Sequence, residues 1–352
     1  MKKNKENNNH HIGSLIFMLV LIGLTFYLLF KDNSLASLLP YIKKANPFYL
    51  ILGLFTMIGY IACEAINIKI ITKSLNIKVP FWRCMEYSFI GFYFCSITPS
   101  ASGGQPAQIY YMKRDNINIS YSTLTILIIT VAYQIVMLLY GLLMYIVEFN
   151  FVSTNIKGIK WLILFGVVIN VILVAIIIFS IFSKKVITKC VLAITNFLAK
   201  IKLMKHVDST QKNIMHQLDE YTEGAKYVKQ NPMLFVKVSF FTFLQKTALY
   251  SVPFFVYKAF NLTGHTFLEM VALQALFTIA VASLPLPGAV GVTEASFLTV
   301  FKIFFSSGLI LPAMLLSRGI SFYAILIISA IITIIVHMRK RPIINDKLKK
   351  AA

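Results

Sequence analysis

Six apolar stretches, each long enough to cross a bilayer as a helix, decide what this chain can fold into. They are residues 12–30, 48–68, 120–147, 161–182, 234–257 and 308–338. A helix rises about 1.5 Å per residue, so roughly 20 apolar residues bridge the hydrocarbon core of a membrane. With 58% hydrophobic residues, 13% charged residues and a mean hydropathy of +0.75, the chain cannot clothe itself in a charged, water-facing surface. The fold class expected is therefore all-α, a polytopic membrane helical bundle. No Ala-x-Ala cleavage pattern follows residues 12–30, and more spans come after it, so this run reads as a retained first helix.

Charge orders the path. The formal net charge is +21, but the Lys and Arg residues sit mainly between apolar runs rather than on one basic face. This is the positive-inside pattern, with contact to anionic lipid, and no nucleic-acid partner is implied. Residues 1–11 and 339–352 read as basic cytoplasmic tails, and 12–338 as the transmembrane domain. Lys69, Lys73, Lys78 and Arg83 hold the loop after the second run inside, and residues 184–232 read as amphipathic helices on the same face. The expected location is a bacterial inner membrane, with both termini cytoplasmic.

Two segments do not fit a plain crossing. Residues 84–97 are too short to span and lead into TPSASGGQPAQIYYMKRD, whose Lys113 and Arg114 also belong inside. Residues 267–305 must begin and end outside, turning at SLPLPGAVGVTEASF. The expectation is about six full crossings plus two re-entrant broken-helix hairpins dipping in from opposite faces, an arrangement that an inverted repeat would give. No residue-level internal repeat accompanies it.

Unpaired backbone groups are not tolerated in hydrocarbon, so Pro and Gly at membrane depth must be buried in protein or line a wet cavity. In the first segment Pro99 stops a helix and Gly103 and Gly104 permit close backbone approach. Gln105 and Gln108 offer amides, Tyr110 and Tyr111 hydroxyls, and Lys113 and Arg114 cations for phosphate. A helix starting near Pro106 would also aim N–H groups at an anion. The alternative is an interfacial turn with anchoring aromatics and topology-fixing cations.

In the second segment Pro285 and Pro287 break the incoming helix, Gly288 and Gly291 allow the turn, and Thr293 and Glu294 start the outgoing helix. A carboxylate at depth must be paired, hydrated or protonated, which singles out Glu294 against a purely capping role. Arg318 in LLSRGISFY could pair with Glu294 or bind a lipid phosphate. Lys246 could do the same or snorkel to an interface. Glu64 and Glu86 fall near expected helix ends, where interfacial exposure is as good a reading as function, and Glu269 is equally ambiguous at the outer entry of the second hairpin.

No catalytic constellation, cofactor box or metal site emerges. Cys63, Cys84, Cys95 and Cys190 form no CxxC pair and read as small buried hydrophobes. The six His residues are scattered, and the 29 Phe and 17 Tyr read as lipid-facing packing and interface belts.

The two motifs Thr98–Arg114 and Leu284–Phe297 resemble those of the lysylphosphatidylglycerol synthase transmembrane family, also called flippase-like or UPF0104 proteins. The resemblance covers nearly the whole chain. Residues Pro99, Gly103, Gly104, Gln105 and Gln108 match the first motif, and Pro285, Pro287, Gly288, Gly291 and Glu294 the second. Ala289 stands where a second Gly often occurs. In the bacterial multiple-peptide-resistance proteins such a domain is associated with moving aminoacylated phosphatidylglycerol, and a separate soluble domain transfers the amino acid.

The sequence continues only to Ala352, so that synthase domain is not expected here. The resemblance implies lipid translocation, with anionic or aminoacylated phospholipids as partners, a separate lipid-modifying enzyme and a homo-oligomer as further candidates. The competing readings are an integral transferase acting on a lipid-linked substrate and a non-transporting partner subunit.

Overall fold

The computed structural model describes residues 40–41, 43–98, 101–155, 160–182, 223–226, 230–282 and 290–339. The expected first crossing 12–30, both tails and most of 184–232 lie outside the described residues, as do Pro99, Pro285, Pro287, Gly288 and Ala289.

The described regular structure is helical throughout. Helix α1, Pro47–Ser74, starts where Asn46 caps it, its side chain accepting from the Phe48 N–H at 3.0 Å, with Pro47 filling the first turn. It stops where Asn76 turns into the left-handed region at φ 59°. Helices α2, Phe81–Ile97, and α3, Gly104–Arg114, pack against each other as the two arms of a hairpin. Helix α4, Ile119–Val147, is capped by Asn118, which accepts from the Ser120 N–H at 3.0 Å. Helices α5, Phe149–Asn155, and α6, Lys160–Phe182, form a bent pair at 110°.

The stretch 234–257, expected as one crossing, is instead two helices. Helix α7, Pro232–Tyr250, and α8, Val252–Ala259, meet at Ser251, and the missing N–H of Pro253 in the first turn of α8 explains the interruption. Helix α9, Phe267–Ala282, begins with a reciprocal cap. Glu269 accepts from the Thr266 N–H at 3.0 Å and from His265 at 2.9 Å, while the Thr266 hydroxyl accepts from the Glu269 N–H at 3.2 Å. Glu269 is thus a capping residue.

Helix α10 is Val292–Val300. The last span runs as α11, Ile310–Arg318, a π-helical turn at Gly319–Ala324, and α12, Ile325–Met338.

Among the described residues, three helices are apolar and long enough to cross a membrane, Pro47–Ser74, Ile119–Val147 and Ile310–Met338, with the bent α5–α6 pair as a fourth candidate. The chain is an all-α, multi-pass membrane bundle. Its outer surface is apolar, unlike that of a water-soluble protein, and polar residues are set into an otherwise apolar interior. Phe55, Leu142, Phe165 and Ile331 face outward, while Asn67, Thr125, Thr242, Gln245 and Lys246 are buried. Exposed apolar surface on this scale belongs against lipid, and the polar residues bind helices to one another. Asn67 Nδ2, for example, donates to Thr242 Oγ1 at 3.0 Å and ties α1 to α7.

At the basic end of the α2–α3 hairpin, Arg83 does more than set topology. Its Nη1 lies 2.9 Å from both carboxylate oxygens of Asp115, which is fully buried and also accepts from the Tyr87 hydroxyl at 2.6 Å. Removing one member of a buried pair leaves an uncompensated charge. Arg83→Ala, which strands the fully buried Asp115 anion, is therefore expected to cost about 3–5 kcal/mol, and Asp115→Asn, which strands only the part-exposed Arg83 cation, distinctly less. Thermal unfolding of the two variants in detergent checks the order.

Candidate functional site

The α2–α3 hairpin depends on two glycines. A Cβ on Gly104 would collide with Cys95 Sγ and come within 2.7 Å of the Gly91 carbonyl, and one on Gly91 would collide with the Gln108 amide. Close approach of the helices is what carries Gln108 deep into the bundle. Before the hairpin's second arm, Gly103 donates its N–H to Thr98 Oγ1 at 2.8 Å, and Ala101 holds a φ of 53°. A side chain in that region costs roughly 1–2 kcal/mol, so the surrounding loop enforces the turn. The helix begins at Gly104 rather than near Pro106.

In the second segment Gly291 sits at φ 87°, a backbone state natural to glycine. Its N–H donates to Glu294 Oε2 at 2.7 Å, so Glu294 does cap the helix it starts. The same carboxylate is ion-paired, with Arg318 Nε 2.8 Å from Oε1 and the Tyr323 hydroxyl 3.4 Å from that oxygen. Capping and pairing, posed as alternatives in the sequence, are both made by one carboxylate with 2% exposure. The Arg318 guanidinium also lies 4.4 Å from the centre of the Phe322 ring, one residue set of the π-helical turn later.

Between the two motifs lies a cavity of about 520 Å³. The first motif contributes Ala101, Gln105 and Gln108 to its wall, and the second contributes Thr293 and Phe297. Arg318, Ser317 and Ser321 line it from the last span, and Tyr60 and Glu64 of α1, Thr130 and Tyr133 of α4, Gln245 of α7 and Gln274 of α9 are among its other polar wall residues. Gln105 donates to Thr130 Oγ1 at 2.9 Å.

Other sequence candidates stand elsewhere. Tyr110 is 56% exposed, Lys113 and Arg114 are exposed, and none of the three lines the cavity. Arg114 instead donates to the carbonyls of His337 and Arg339 at 3.0 and 3.2 Å, fastening α3 to the end of the last span. Tyr111 meets the His337 ring nitrogen at 3.0 Å. Lys246 does not snorkel. It is fully buried behind the cavity wall, with its ammonium 3.3 Å from the centre of the Tyr133 ring.

The residue that sequence reasoning underweighted is Glu64. Ending the crossing at residue 68 put it near an interface, but α1 continues to Ser74, which leaves Glu64 roughly 15 Å of helix from that end. There it accepts from Gln108 Nε2 at 2.6 Å and faces Gln245 Nε2 at 3.5 Å. A carboxylate inside an apolar run was the available signal. Cys95, another wall residue, was visible only as a small hydrophobe. Among the described residues no cluster of His, Cys, Asp and Glu could hold a metal ion. What the cavity can do is solvate a polar group inside the bundle with amides, hydroxyls, one carboxylate and one guanidinium.

Gly104→Val is expected to force α2 and α3 apart, lower the thermal midpoint in detergent and loosen the Gln108–Glu64 contact. Enhanced thiol labelling of Cys95 in that variant would report the separation.

Comparison with known proteins gives the chain a family. A UPF0104 membrane protein of Pyrococcus horikoshii is 23% identical over 318 residues, covering 87% of this chain and 93% of that protein. A second UPF0104 membrane protein, from Archaeoglobus fulgidus, is 25% identical over 113 residues, 32% of this chain and 34% of its own length. The family model described as lysylphosphatidylglycerol synthase TM region matches residues 12–329, spanning both motifs and every cavity wall, and the chain belongs to that family.

Proposed function

We propose that this protein moves lipid headgroups across the membrane, carrying the polar group through the cavity while the acyl chains stay in the bilayer. The observation that carries the reading is the cavity itself. It is a space of about 520 Å³ inside a bundle whose outer face is apolar; its largely apolar wall carries amides, hydroxyls, a carboxylate and a guanidinium, and residues of both interrupted motifs contribute to it. Desolvating a headgroup is the barrier to lipid exchange, and wall amides, hydroxyls and a guanidinium substitute for water. Family membership supports the same flippase-like role.

In the finer reading, phospholipids that are anionic or aminoacylated on phosphatidylglycerol are the cargo, and a separate enzyme supplies any modified lipid. Arg318 receives phosphate, and Glu294 fixes its position rather than meeting the cargo, since both of its oxygens are engaged within the protein. Gln105 and Gln108 offer amides along the path. Six crossings and two hairpins entering from opposite faces, related as an inverted repeat, place the motifs at a common depth. Both termini then lie on the cytoplasmic side of a bacterial inner membrane.

Purified protein in phosphatidylglycerol-containing vesicles should accelerate exchange of a fluorescent phospholipid above the leak set by an unrelated membrane protein. Glu294→Gln, by releasing Arg318, should slow it at least ~10-fold, the effect of about 1.4 kcal/mol on a barrier. Tyr110→Phe, on the exposed face, should not. Rates indistinguishable from the leak for the unmodified protein overturn the reading. Single cysteines at Ser102 and Ser307 should label from opposite sides of the membrane, and labelling from one side overturns the two-face arrangement.

A further inference from the structure

The cavity holds a second carboxylate whose surroundings differ in kind from those of Glu294. We propose that Glu64 is a proton-binding site, taking up and releasing a proton within the cavity, and that its protonation state sets the charge met by a passing headgroup. The link to headgroup passage rests on the function proposed above; the proton site itself does not.

Glu64 is surrounded by titratable and polar groups from several helices. Tyr60 lies one turn earlier on α1, and Tyr133 of α4 lines the same cavity. Cys95 comes from α2, Gln108 from α3 and Gln245 from α7, and Arg318 lines the cavity's far wall, where it is engaged by Glu294. Lys246, next to Gln245 on α7, directs its ammonium at the Tyr133 ring. Among the described residues no Lys, Arg or His stands within ion-pair distance of Glu64, which receives only neutral amide donors. Glu294, by contrast, has a guanidinium against one oxygen and a backbone N–H against the other. An ionised carboxylate at this depth without a countercharge is costly, and a bound proton removes the cost.

A second observation concerns where that proton would point. The contact from Gln245 Nε2 to Glu64 Oε2 is 3.5 Å, long beside the roughly 2.7–2.9 Å of a donor committed to a carboxylate. The other end of the same amide, Gln245 Oε1, is buried and has no hydrogen-bond partner among the described residues. Turning the Gln245 amide over brings that carbonyl to Glu64 Oε2, where it accepts the O–H of the protonated acid. Gln108 continues to donate to Oε1 in either state. The balance is simple: a proton from cavity water binds Oε2, the carboxylate becomes a neutral acid, and the orphaned amide oxygen gains a donor. Release reverses each change.

The experiment is infrared difference spectroscopy of the purified protein in phosphatidylglycerol vesicles, titrated with acid, combined with lipid exchange over the same pH range. A protonated-carboxyl stretch should grow on acidification, be lost in Glu64→Gln, and persist in Glu269→Gln. Glu64→Asp should keep a titrating band and so controls for a folding defect in the glutamine variant. Exchange by the unmodified protein should change with pH, and that of Glu64→Gln should lose the dependence. A band that survives in Glu64→Gln, or no acid band at any pH, overturns the proton site. Equal pH profiles for the two proteins overturn its coupling to passage. A Glu64 band with no lipid exchange by any form overturns the transport reading and leaves the proton site standing.

Discussion

Hydrocarbon offers no hydrogen bonds, so every polar group taken into this bundle has to find its partner within the protein. The Glu294–Arg318 pair is the most demanding case. It unites a helix start, a π-helical turn and a tyrosine hydroxyl around one carboxylate, and so sets the position of α10 against the last span. Without a partner at 2.8 Å neither charge belongs at that depth. The Arg83–Asp115–Tyr87 cluster solves the same problem at the basic end of the α2–α3 hairpin. Together they hold the two interrupted motifs against the rest of the bundle, and the cavity is the space left between them.

The two charged sites differ in what they leave available. Glu294 has both oxygens engaged, one by the Gly291 N–H and the other by the Arg318 guanidinium. Glu64 faces open cavity and is bonded only by neutral amides. The glycine contact between α2 and α3 links the two, since the close approach at Gly91 and Gly104 puts Gln108 within reach of Glu64.

Much of this was legible in the residues. The crossings at 48–68 and 120–147 correspond to Pro47–Ser74 and Ile119–Val147, because sustained apolarity reports directly on what a segment can be buried in. The partnership of Glu294 with Arg318 was also accessible, since two lone opposite charges in apolar surroundings have few other solutions. Less legible was the depth of Glu64. Lys69 and Lys73 suggested a helix ending, whereas the helix runs on past both. The break at Ser251 was missed because Pro253 can sit in a first helical turn without announcing where the preceding helix stops. Lys113 and Arg114 look like phosphate ligands in sequence, yet Arg114 spends its donors on carbonyls of a chain segment more than two hundred residues away.

By itself, then, the sequence determined the solvent this protein folds in, the helical class, and two of the places where helices are interrupted, since apolar length, charge distribution and Pro/Gly content act locally. Tertiary structure alone decided which side chains share the cavity. Tyr60, Glu64, Gln108, Tyr133, Gln245 and Arg318 come from five helices, and their meeting follows from helix packing and glycine contacts between segments far apart in the chain. No short-range pattern encodes those contacts. That is why Glu64 reads as an ordinary interfacial acid in sequence and as a cavity carboxylate in the folded bundle.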